Sequence, residues 1–470
     1  MQDWHGTFRS SEEATLSTLD ATQATPATRP LRIGVGSQIS YGIGQIAGQI
    51  FREVPSLLLL FFMTNTLGIG PALAGTAIFV PKLIWGVLCD VGVGVLSDRW
   101  KQRMARRWWL VIGAVGAPIA LVLLFHVPAL DETGKALYIA LIFGLYMMVF
   151  ATFSVPYLAI ASEMATDPHE RTIIMSWRLV FTAVGVLIAD SFSPIYIQTQ
   201  GGGQPAYESL SHILAVVCPI ALVVAFFGAR RIASSRAVAA SAPIVRVTIR
   251  QAWSALAAPR FSTLLIANLF QLVGQGMAFA SMLYFFSYNM GRSDPFVQIG
   301  LITMIACAAI ILAQPLWVAL AKRWGKKRVY VISSLLYTVT MITWGLTGPT
   351  WIGLSYGFAF LLGLSNSGFS LMGFSMVSDI GGDGKAGLYS SVWVAADKLG
   401  FALGGTLLTG ITLSLFGFDA ARAVAGLSQP PSAMIGTLFG FAILPGLASA
   451  VAAGIYGVWG ADTEKLGSAV

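Results

Sequence analysis

The sequence predicts an all-α polytopic membrane protein, with twelve transmembrane helices in two six-helix bundles. Three observations carry this. The 470 residues are 56% hydrophobic and only 11% charged, with a mean hydropathy of +0.74. Soluble domains carry roughly 25% charged residues, and a soluble fold of this length could not hide so much apolar surface. Apolar runs long enough to cross a bilayer then recur along the chain. Finally, a tight basic turn follows the second run of each half.

The runs fall near 38–66, 70–97, 107–127, 136–163, 172–195 and 211–229, and resume near 261–288, 297–320, 329–347, 350–379, 387–416 and 433–459. The expected organisation is a tail over 1–36, a first bundle over 37–229, a central loop over 230–260, a second bundle over 261–460 and a tail over 461–470. The central loop carries Arg230, Arg231, Arg236, Arg246, Arg250 and Arg260. Fifty glycines suit closely packed membrane helices.

Basic residues set the expected orientation. Arg99, Lys101, Arg103, Arg106 and Arg107 follow span two, and Lys322, Arg323, Lys326, Lys327 and Arg328 follow span eight. The opposite side holds mainly Lys135, Arg292 and Arg422. Both termini are therefore expected in the cytoplasm, and the chain in a plasma membrane, as in a bacterial inner membrane. The net charge of +8 sits in short loops and reads as a topology signal, not a nucleic-acid surface. The first 30 residues lack the apolar core of a signal peptide. Cys89, Cys218 and Cys307 lie within apolar runs and show neither a disulfide framework nor a zinc site. No phosphate-cradling glycine-lysine motif is present, and His5, His126, His169 and His212 lack ligand spacing. The expectation is a monomeric carrier without enzyme activity, cofactor or metal, whose partners are a small solute and the bilayer.

The two basic turns, Gly94-Val95-Leu96-Ser97-Asp98-Arg99 with Arg106-Arg107 and Ala321-Lys322-Arg323-Trp324-Gly325-Lys326-Lys327-Arg328, mark a two-half transporter. Here the chain resembles the major facilitator superfamily. Tyr41-Gly42-Ile43-Gly44, the string Pro156-Tyr157-Leu158-Ala159-Ile160-Ala161-Ser162-Glu163 with Asp167, Glu170 and Arg171, and Gly387-Leu388-Tyr389-Ser390-Ser391 leading to Asp397-Lys398-Leu399-Gly400 narrow it. With Trp85 and Asp90 they look like the glycoside–pentoside–hexuronide cation symporters of the melibiose permease type, over residues 37–460.

That resemblance implies a central cavity open alternately to each side, a cation site between helices two and four, and a sugar site beside it. Asp90 matches one of two helix-two carboxylates that bind the coupling cation; the other falls on Gly86, and the helix-four carboxylate on Ser154. The helix-one sugar-binding carboxylate falls on Gln49, its preceding lysine on Gly48 and the helix-four tryptophan on Leu158. The helix-five arginine matches Arg178 if one residue is gapped, and the helix-eleven lysine matches Lys398. Sodium wants several hard oxygen ligands. A lone carboxylate in a cavity suits a proton better, because burial disfavours its charged form, so proton coupling is favoured over sodium.

The residues support the same sites independently. Asp90 stands in a long apolar stretch otherwise free of carboxylates, where a charge is costly and usually functional. Lys398 is its expected counterpart, with Lys82 as a structural alternative. Asp397 points about 100° from Lys398 and is a poor partner for it. Gln45, Gln49 and Arg52 or Glu53 share one face of span one, expected to bind substrate or, for Glu53, the coupling cation, with structural ion pairing as the alternative; Ser154 and Lys398 are further substrate candidates. Arg178 could fork a ligand carboxylate or pair with Glu163 or Asp190. Gln271, Gln275 and Trp393 are candidate substrate contacts, the tryptophan alternatively packing between helices. Asp98, Arg99, Arg106 and Arg107, and Glu163, Asp167 and Arg171, are expected as gating charges.

The expected activity is cation-coupled import of a glycoside, sugar or sugar acid by alternating access. A lysolipid, amphipathic or peptide-like cargo on the same fold is the second reading. A non-transporting assembly factor or sensor is the third.

Overall fold

The computed structural model describes residues 34–100, 103–164, 168–229, 256–347 and 352–460. The membrane-crossing segments are helical. We label them α1, Val35–Val54, continued by wider turns at Pro55–Leu59 and Phe62–Thr66; α2, Pro71–Arg99; α3, Trp108–Phe125; and α4, Glu132–Met164. Next come α5, Pro168–Val186, continued through Leu187–Phe192 and Ser193–Thr199; α6, Gly203–Gly228; and α7, Pro259–Tyr284, continued by Phe285–Asn289. Then follow α8, Pro295–Trp324; α9, Lys326–Leu346; α10, Gly353–Ile380; α11, Leu388–Leu415; and α12, Pro431–Trp459. Among the described residues eleven of these helices are long and apolar enough to span a bilayer; α1, with its polar stripe, is the exception.

Helical backbone runs unbroken from Ile352 to Ala402, without the loop expected between spans ten and eleven. Two bilayer crossings are nevertheless present. The rings of Phe374 and Trp393 meet at 5.9 Å, whereas nineteen residues of straight helix would separate them by roughly 28 Å. The chain therefore doubles back between α10 and α11. Polar first turns also made α4 and α6 start earlier than their apolar runs, at Glu132 and Gly203.

Within the first half α1 packs on α5 and α6, α2 on α4, and α3 on α4 and α6. The second half repeats this: α7 packs on α11 and α12, α8 on α10, and α9 on α10 and α12. Small residues allow these contacts. A Cβ on Gly44 of α1 would lie 2.7 Å from the Ala225 methyl of α6 and 2.8 Å from the Tyr157 ring of α4. Tyr41 and Tyr157 then clasp α1 to α4: the rings stack at 4.5 Å, and each hydroxyl donates to the other's carbonyl, at 2.6 and 2.8 Å.

The halves meet closely at the end remote from the basic turns. Gly75 of α2 lies against the backbone of Thr406 and Gly410 of α11. Thr64 and Tyr284 share a hydrogen bond of 2.6 Å, and the Tyr288 hydroxyl donates to Asn65 at 2.6 Å. Ser191 donates to the Gly300 carbonyl at 2.9 Å.

Candidate functional site

Helix α2 starts at the closed seam and descends towards the basic turns, carrying Asp90 fifteen residues below Gly75. Helix α11 rises in the opposite sense and brings Lys398 to the same depth. Lys398 Nζ donates to Asp90 Oδ2 at 2.6 Å, a bond between the two halves. The lysine side chain is 62% exposed and the carboxylate 29%. The pair therefore stands at the edge of open space, not in dry protein. Lys82 is not the partner of Asp90; its electrostatic neighbours are Arg52 and Glu53 of α1. Asp397, one step around α11, instead accepts from Asn268 Nδ2 of α7 at 2.8 Å.

A second charged group surrounds Arg52. Its guanidinium lies 3.3 Å from the Glu53 carboxylate, with 63% of the arginine side chain exposed and 12% of the glutamate. Asp397 of the other half lies within electrostatic reach of Arg52, as does Asp190 of α5. Arg52 thus faces carboxylates from both halves. The sequence stripe pointed to Arg52 and Glu53 but not to the convergence of Lys82, Asp190 and Asp397 upon them.

Gln45 and Arg178 are brought together: Arg178 Nε donates to Gln45 Oε1 at 2.8 Å, and the guanidinium lies 6.0 Å from the centre of the Tyr157 ring. The salt bridge considered between Arg178 and Asp190 is not made, because Asp190 lies three turns further along α5 beside Glu53. Gln49 is buried against Gly185, and Ser154 is half-buried on α4.

Three expected substrate contacts are enclosed or tied to neighbouring helices in this state. Trp393 is only 1% exposed, its ring packed over Gly373 and Phe374. Gln271 is 1% exposed and enclosed on α7, with neither amide atom hydrogen-bonded. Gln275 is tied to Asn366 of α10, whose Nδ2 donates to its Oε1 at 3.2 Å. Helical periodicity places such residues on a face but does not tell what covers that face.

At the basic turns Arg106 pairs with Asp98. This joins the end of α2 to the turn before α3, within the first half. Arg107 lies over the Phe226 ring at 5.5 Å, and Arg99 is exposed. The second half has its own tie, Lys326 Nζ to Asp379 Oδ2 at 2.6 Å, which sequence reasoning missed. Asp167 and the side chains of Glu163 and Arg171 lie outside the described residues.

A family model described as MFS/sugar transport protein matches residues 40–457. The chain belongs to this family of transporters. It is accordingly a multi-pass membrane carrier of small solutes and not an enzyme. It is similar to the inner membrane symporter YicJ of Escherichia coli (strain K12), 26% identical, over 83% of this chain and 85% of that protein. It is similar also to the isoprimeverose transporter of Lactiplantibacillus pentosus, 22% identical over 86% of each. Among solved structures, a D-xylose-proton symporter shares the fold with a TM-score of 0.64 at 15% identity, covering 91% of this chain and 98% of that one. An inward-facing, unoccupied bacterial homolog of the human lysosomal transporter Spinster does so with a TM-score of 0.65 at 14% identity, covering 90% and 96%.

Proposed function

We propose that this protein is a cation-coupled symporter that imports a glycoside, sugar or sugar acid by alternating access. The observation that carries this reading is the Asp90–Lys398 ion pair, which joins the two halves at the edge of open space while the opposite end is packed shut. The similarity to proteins named symporters, and to an isoprimeverose transporter, supports it. By the positive-inside rule the basic turns face the cytoplasm, so this state is open inward with both termini inside.

The pair is suited to exchange. A solvent-exposed ion pair contributes about 0–1 kcal/mol, so a competing cation can displace the ammonium from Asp90. Closure of the halves would dehydrate both groups, and an unpaired charge there would cost several kcal/mol. A cation on Asp90 neutralises the carboxylate before closure and frees Lys398 for the cargo. A proton serves better than sodium, because Gly86 and Ser154 stand where the resemblance places two further carboxylates. Arg52, Arg178 and Lys398 favour a cargo bearing an anionic group.

The test is uptake by proteoliposomes holding a pH indicator, across a panel of sugars, glycosides and uronides. A cargo-induced internal acidification in wild-type, absent in Asp90→Asn, supports the proposal. Sodium-dependent flux with no pH change contradicts the proton assignment. Unaltered flux in Asp90→Asn contradicts the coupling role.

A further inference from the structure

Helices α1 and α5 run side by side in the same direction, and three contacts fix their register. Gly42 lies against Trp177 and Phe181, Gln45 against Arg178, and Gln49 against Gly185. One further turn on each helix brings Glu53 opposite Ala189 and Asp190. Here α5 widens into the Leu187–Phe192 segment, a local irregularity frequent at functional sites. Asp190 is 3% exposed, and its Oδ1 has no hydrogen-bond partner. An ionised carboxylate so enclosed is expensive, and inside a membrane such a residue is rarely structural alone.

We propose that Asp190, with Glu53 beside it, is a proton-carrying site of the transport cycle, distinct from the Asp90–Lys398 pair. The groups that face it are Arg52 and Glu53 of α1 and Cys307 of α8, with Lys82 of α2 acting on Arg52 and Glu53. Glu53 is already ion-paired with Arg52 at 3.3 Å, and a second bare carboxylate enclosed beside it is costly, so the site holds a proton. Asp190 carries that proton in the present state. When it leaves to water, Arg52 is the cation within reach to take up the exposed charge. The neighbouring Ser191 holds the Gly300 carbonyl of the other half at 2.9 Å. Loss of the proton therefore places charge beside the dry seam and loosens the closed end.

The inference extends the alternating-access reading, but its test needs no cargo. Infrared spectra of the full chain in liposomes are recorded at neutral pH with unlabelled and with carboxyl-¹³C aspartate. Wild-type should show the carbonyl stretch of a protonated carboxylic acid, and aspartate labelling should shift it. Asp190→Asn should lose the band and Asp90→Asn should keep it. Asp190→Glu, the conservative variant, should keep a band that no longer responds to aspartate labelling. Absence of the band in wild-type, or an isotope response unchanged in Asp190→Glu, overturns the proposal. Either result leaves the cargo-driven test of symport standing by itself.

Discussion

The two ends of the interface between the halves are built from different chemistry. The closed end uses backbone against backbone at Gly75 and Gly410, and neutral hydroxyl and amide bonds at Thr64–Tyr284, Tyr288–Asn65 and Ser191–Gly300. Towards the basic turns Asp90 and Lys398 make an ionic contact across the halves. Neutral contacts tolerate dehydration, whereas a charge leaves water only with a partner or a bound cation. The end that is shut is therefore the end that can be dry without help. The end that stands open is the one whose closure can be made conditional on a ligand.

The largest effect should come from bulk in the closed seam. Gly75→Leu would press a side chain into the Thr406 carbonyl. Overpacking of about 1–3 kcal/mol should move the population roughly five- to 150-fold away from this state. Hydrogen exchange over Thr406–Leu415 should rise, and unchanged protection would break the comparison. A smaller structural effect is expected at the charged pair. Lys398→Ala should cost at most about 1 kcal/mol of stability, since the pair is part-exposed, yet abolish concentrative uptake. Full uptake would make the pair merely structural. The smallest effect on uptake is expected for Tyr288→Phe, which removes one neutral hydrogen bond to Asn65. A shift of about 0.5–1.5 kcal/mol towards opening of the seam, read by labelling a cysteine at Ser293, would sharpen the contrast. A larger loss than Gly75→Leu would reverse the order proposed here.

Much of the fold was legible because membrane spans announce themselves by composition. The limits of α4 and α6 were not, since Glu132 and Gln204 begin them with polar turns that an apolar run excludes. The reversal between α10 and α11 was legible from the break between the two apolar runs, but the helical backbone that continues through it has no signal in apolar patterning. At the site, Asp90 and Lys398 were legible because an isolated charge in an apolar run has few cheap explanations. Asp190 and Asp397 were equally visible as letters. Their relation to Arg52 depends on which helices lie side by side, and no spacing within one helix encodes that. The packing of Trp393 was illegible for the same reason: the glycine that receives its ring, Gly373, belongs to another helix.

The central claim, that the halves open alternately, is most directly tested by a pair of distances measured on one sample. Spin labels at Arg99 and Arg323 would report the basic-turn end, and labels at Gly70 and Ser293 the opposite end. Addition of a transported solute from the panel should shorten the first distance and lengthen the second in wild-type, with neither changing in Asp90→Asn. Two distances that stay fixed while the solute crosses the membrane would contradict the account.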